Sequence, residues 1–131
     1  LTWDDTRALA AAGMSIESHP RSHRVLDTLD DATLTTELAG SRLDLETQLG
    51  RPARAIAYPV GRKPSPRVVR AVADAGYRIG FTNASGVTRV WPRWAYKLDH
   101  LDIHRLSTDR TQSDALFLAQ LAVPMLGFRG N

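Results

Sequence analysis

Apolar residues recur at helical spacing in one long stretch of the chain. Leu34, Leu38, Leu45 and Leu49 fall on one side of a 3.6-residue repeat, with Leu43 beside them. This predicts a helix from Asp30 or Asp31 to Leu49, with Gly50 as its stop. Residues 3–12 read as a shorter, Ala-rich helix that Asp4 or Asp5 can cap and Gly13 can end. Residues 65–75 read as a third, with Ser65 as cap, Pro66 in the first turn and Gly76 after the last. Thr111 to Leu121 reads as a fourth.

Between these helices lie short apolar or alternating runs. Met14 and Ile16 alternate with polar residues over 14–18. Arg54 to Tyr58 is a short apolar run closed by Pro59 and Gly61. Tyr77 to Thr82 and Ile103 to Leu106 read as two further strands. His19 to Asp27 and Asn83 to Leu101 read as irregular. Strands alternating with helices predict an α/β fold with a mostly parallel sheet or barrel, whose chemistry sits beyond the carboxyl ends of the strands.

Composition narrows the function classes. At 131 residues the chain fits one domain, 1–131, able to bury a real core. It has no cysteine, which excludes a disulfide scaffold and a thiolate zinc site. No apolar stretch approaches the roughly 20 residues of a membrane span. The net charge is +3, and the basic residues are nearly all arginine, only Lys63 and Lys97 being lysine. These charges are scattered from Arg7 to Arg129 among 14 acids. A nucleic-acid reader gathers such charge on one face or run, so nucleic acid is not the expected partner.

The first candidate chemistry is a histidine pair. His19 and His23 sit in Ser18-His-Pro-Arg-Ser-His23, directly after the predicted strand at 14–18. Neutral imidazoles four residues apart can reach one divalent ion. Two histidines make an incomplete site, because a catalytic metal needs a third protein ligand and an open position. Taken alone, the same residues also suit a polar surface loop.

The stretch from Ala12 to His23 resembles the second motif of the polysaccharide deacetylase homology domain (carbohydrate esterase family four). In that family a helix ends in Gly, a strand follows, and a His-Ser/Thr-x-x-His loop supplies two metal ligands. Pro20 stands where the family prefers Ser or Thr. Ile56-Ala-Tyr-Pro-Val-Gly61 is similar to the family's third motif, in its Phe-Ala-Tyr-Pro-x-Gly form, with Ala57 where an Arg is commoner. Ala75-Gly-Tyr-Arg-Ile-Gly-Phe-Thr82 is similar to its Gly-Tyr-x-x-Ala-x-Thr strand. Leu101-Asp-Ile-His-Arg-Leu106 is similar to a later strand, which carries a proton-donating His in some members and Pro-Arg in others. Arg105 favours the second register, with His104 at the Pro position.

The resemblance implies a partial (β/α)7-type deacetylase barrel and a divalent metal cofactor, zinc by preference, held by His19 and His23. It implies an oxyanion donor in the Val60 amide and His104 as an alternative general acid. Tyr58 and Pro59 would wall the substrate site. Trp91 and Trp94, with Tyr96 nearby, could stack on sugar rings or pack as a core or lid. The implied reaction is removal of N-acetyl, less readily O-acetyl, groups from an acetylated polysaccharide or glycan, at a secreted or cell-envelope location. A catalytically inactive carbohydrate-binding or scaffold relative is the alternative, and a basic nucleic-acid-binding α/β module a further one.

One motif of the family has no clear counterpart. Its Thr-Phe-Asp-Asp strand supplies the general base and a third ligand from far upstream of the His pair. Only 13 residues separate Asp5 from His19, so Asp4 and Asp5 read as helix-capping residues. The chain, which begins at Leu1, is therefore expected to be the C-terminal part of a larger deacetylase domain.

Overall fold

A computed structural model of the chain describes residues 1–60, 63–86, 88, 99–105 and 111–122. Helix α1 spans Trp3–Ala11, α2 Asp31–Leu49, α3 Pro66–Asp74 and α4 Asp114–Ala122. Strand β1 spans Ala55–Ala57, β2 Ile79–Ser85 and β3 Ile103–Arg105. Single 3-10 turns occupy Leu26–Thr28 and Asp99–Leu101. The strands form one parallel sheet in the order β1-β2-β3, with Ala57 opposite Phe81 and Phe81 opposite Ile103.

Local chemistry explains most of the boundaries. Asp30 caps α2 by accepting from the Thr33 amide at 2.8 Å. Ser65 caps α3, and Pro66 fills its first position. The cap of α1 is not Asp4 or Asp5. Thr2 takes that place, accepting from the Asp5 amide while the Asp5 carboxylate accepts from the Thr2 amide, a closed capping box. Gly76 ends α3 at φ 90°, which lets its amide and that of Tyr77 return to Ala73 and Val72. That return uses the Tyr77 amide, so β2 begins at Ile79 rather than at Tyr77.

The predicted strand at 14–18 contracts to a single parallel bridge between Ser18 and Ile56. The Ser18 amide donates to Ala55 O, and its carbonyl accepts from the Ala57 amide. Upstream, the Met14 amide is spent on α1, and the Met14 side chain is exposed. Asn83 to Ser85, expected to be irregular, extend β2 instead.

Leu34 and Leu38 of α2, Val68 and Val72 of α3, Ile56, Tyr58 and Tyr77 form the core, joined by Leu26, Leu29 and Leu101. Burying each of these apolar side chains is worth about 1.5–3 kcal/mol. Leu43 lies off this stripe and is exposed. Tyr58 crosses β2 at Gly80 and donates to Leu101 O at 2.9 Å. A Cβ on Gly80 would meet that same carbonyl oxygen at 2.7 Å and the Tyr58 ring at 2.9 Å, so the crossing requires glycine.

Candidate functional site

The carboxyl ends of Ser18 and β1 deliver two loops side by side. One carries His19 and His23, the other Tyr58, Pro59 and Val60. His19 is tied to the end of β1, directly before the second loop, its Nδ1 standing 2.7 Å from Ala57 O. A carbonyl only accepts, so Nδ1 carries a proton, and in the neutral ring Nε2 is then the lone-pair nitrogen. The His19 and His23 rings are 4.9 Å apart between centroids and inclined at 57°, an approach that is not a stack. His23 sits at φ 55°, left-handed backbone that is uncommon outside glycine, and its amide closes a turn onto Pro20 O at 3.3 Å.

The support beneath this pair consists of groups that sequence reasoning missed. Ser18, Ser41 and Tyr77 are buried, and their hydroxyls form a ring. Tyr77 OH donates to Ser18 Oγ at 2.7 Å, Ser18 Oγ to Ser41 Oγ at 3.1 Å, and Ser41 Oγ to Leu38 O at 3.1 Å. Arg21 forms a two-pronged pair with Asp44 at 2.6 and 2.5 Å, and the Ser22 amide donates to Glu37 at 2.9 Å. The Ser22 amide holds the Glu37 carboxyl below its usual range, and Arg21 does the same for Asp44. Glu17 anchors the start of β1, accepting from the Arg54 and Ala55 amides at 2.9 Å each. The available signal was the spacing of Glu37, Gly40, Ser41 and Asp44, which makes a polar patch beside the leucine stripe of α2.

Tyr58, Pro59 and Val60 line an open pocket of about 290 Å³ together with Val25–Asp27, Lys63 and Pro64, and His19 and His23 are not part of its lining. Burial and the nearby Asp102 carboxylate push the Tyr58 hydroxyl far up, so it stays protonated and keeps its bond to Leu101 O. Lys63 pairs with Asp102, and His104 Nε2 lies 3.9 Å from the other Asp102 oxygen. The His104 amide donates to Thr88 Oγ1 at 2.7 Å. Val60 is half exposed. Trp91, Trp94 and Tyr96 lie outside the described residues, as does Gly61.

Asp4 and Asp5 do not join the histidines. Asp4 pairs with Arg7 at 2.5 Å, and Asp5 is committed to Thr2. Among the described residues no third His, Asp or Glu clusters with His19 and His23.

Relatives share both the sequence and the fold. YxkH of Bacillus subtilis, a curated relative named as a polysaccharide deacetylase, is 31% identical over 86 residues, covering 66% of this chain and 30% of its own length. The Streptococcus pyogenes deacetylase PplD, solved in complex with acetate, superposes with a TM-score of 0.77 at 28% identity, over 91% of this chain and 50% of that one. A polysaccharide deacetylase from Bacillus cereus superposes with a TM-score of 0.78 at 24% identity, over 92% of this chain and 36% of that one. The chain thus spans half or less of the length of these relatives, and its parallel sheet is part of their deacetylase barrel. The polysaccharide deacetylase family model matches residues 2–80, where the histidine loop and the Tyr-Pro loop both lie, and the chain belongs to that family.

Proposed function

We propose that the chain carries the histidine half of a metal-dependent site that removes N-acetyl, or less readily O-acetyl, groups from a polysaccharide or glycan. The observation that carries this reading is the convergence of His19 and His23 with His19 Nδ1 committed to Ala57 O. Two imidazoles on one tetrahedral ion stand with ring centroids about 5 Å apart, and these stand at 4.9 Å. A backbone carbonyl on the far nitrogen is the usual way a ligating histidine is oriented. His19 Nε2 and His23 would hold the ion, and an all-nitrogen pair suits zinc. Bound there, a divalent ion supplies Lewis-acid polarisation of an acetyl carbonyl and of water.

The chain's own residues supply the surroundings. Ala57 O keeps the Nδ1 proton of His19 in place. The Tyr58–Val60 loop forms one wall of the pocket and offers the Val60 amide to a developing oxyanion, a role worth about 3–4 kcal/mol where such a donor acts. His104, beside Asp102, is the candidate donor to the leaving amine. The general base and third ligand are assigned to an acidic pair beyond residues 1–131.

Titrating the longer protein, which supplies the third ligand, with Co(II), followed by visible absorption, tests the metal site. The spectrum of the wild type should change on binding, and His19→Ala and His23→Ala should each abolish the change. No binding by the wild type, or binding by both variants as tight as that of the wild type, overturns the reading. Acetate release from an N-acetylglucosamine oligomer, assayed with the longer protein, tests the reaction class.

A further inference from the structure

Helix α2 turns a polar patch toward the histidine loop. Glu37, Gly40, Ser41 and Asp44 stand at i, i+3, i+4 and i+7 and so share one face. Each meets a different part of the loop. Glu37 accepts from the Ser22 amide, and Asp44 takes the Arg21 guanidinium with both oxygens. That guanidinium lies across Gly40, where a Cβ would come within 2.7 Å of its central carbon. Ser41 bonds to Ser18, the residue before His19. His23 follows Arg21 and Ser22 immediately, at the end of a turn in which its amide donates to Pro20 O at 3.3 Å and its φ is 55°.

We infer that this face of α2 is a cradle that positions the two imidazoles, with Glu37, Gly40 and Asp44 as positioning residues. Its consequence for metal affinity rests on the proposed function, whereas its geometry does not. The Arg21–Asp44 pair is substantially exposed, with side chains 46% and 41% accessible, so it contributes little to global stability. Its value lies in where it puts the loop. Bidentate geometry fixes a direction as well as a distance, which a single point charge cannot do.

Gly40→Ala separates positioning from folding. Alanine favours the helix over glycine, so stability should hold or rise. The added methyl must push the flexible Arg21 guanidinium aside and loosen its hold on Asp44. Co(II) affinity should then fall about fivefold, less than the tenfold or more expected for a group bonded directly to a ligating side chain. Asp44→Ala should act in the same direction, and Asp44→Glu should recover part of the loss. Asp31→Ala, which removes an exposed ion pair to Arg67 from the same helix, should leave affinity unchanged.

The metal-free protein supplies an independent readout. A proton–proton Overhauser contact between the His19 and His23 rings should be present in the wild type and lost in Gly40→Ala. If the wild type binds no Co(II), the metal reading fails, and this ring contact alone decides the cradle. Retention of the contact in Gly40→Ala, affinity within twofold of wild type, or an equal loss in Asp31→Ala overturns the inference.

Discussion

At the Ser18 edge of the sheet the His19 ring, the Arg21 guanidinium and the Ser22 amide each find a partner on β1 or α2. At the β3 edge the Oδ1 atom of Asp102 is buried with no hydrogen bond among the described residues, and His104 stands 3.9 Å away, beyond bonding reach. The two edges carry similar residue types, a histidine and a carboxylate within a short stretch. Among the described residues they differ in what packs against them. A 19-residue helix packs behind the first and brings its polar patch to the loop. The second is a three-residue strand held to β2 by its ladder, to Tyr58 through Leu101 O, and to Lys63 through Asp102. A histidine loop is therefore held in a set geometry when a rigid element bonds to its neighbours, and adjacency to a carboxylate is not enough.

The strongest way to break the comparison is at the junction between the edges. Gly80→Ala places a methyl 2.7 Å from a backbone oxygen, which cannot swing away as a side chain can. Overpacking of this kind costs about 2–3 kcal/mol. Chemical denaturation should show that loss, and amide exchange should show β3 released while the histidine loop stays protected.

Tyr77→Phe acts at the opposite edge with a smaller effect. It removes the donor to Ser18 Oγ from a site where Tyr77 is 2% exposed. A buried hydrogen bond is worth about 1–2 kcal/mol. The expected result is that loss of stability together with faster exchange of the Ser18 amide, and no change at His104.

Acid sharpens the comparison with the smallest effect. Glu37 and Asp44 have folded pKa values below their ordinary values of 4.5 and 3.8. Groups lowered on folding contribute stability that is complete above the ordinary value and is lost as pH falls through the lowered one. Protection of the Ser22 amide should therefore be constant from neutral pH down to about 5 and decline below about 4. The capped N-terminus of α2 should weaken over the same range, because the Thr33 amide and hydroxyl lower Asp30 in the same way. Loss of Ser22 protection near neutral pH would contradict the carboxylate clamp.

Helical spacing, caps and stops placed the four helices to within a few residues, because those signals act within one turn. The strand at 14–18 was misjudged because alternation does not say whether a partner strand accepts it, and only Ser18 pairs. Of the site, the histidine pair and the Tyr-Pro loop were legible as local motifs. The clamp was not, since Arg21 and Asp44 lie 23 residues apart and Ser18 and Tyr77 lie 59 apart.

By itself, then, the sequence determined an α/β order of elements, two histidines after a strand end, and the absence of any cysteine ligand. Only the tertiary structure decided which nitrogen of His19 is free, that the two rings approach each other, and that α2 holds the loop between them. The physical reason is that residue type and local spacing set what a side chain can do. Packing between distant segments sets where it points and which of its atoms are already occupied.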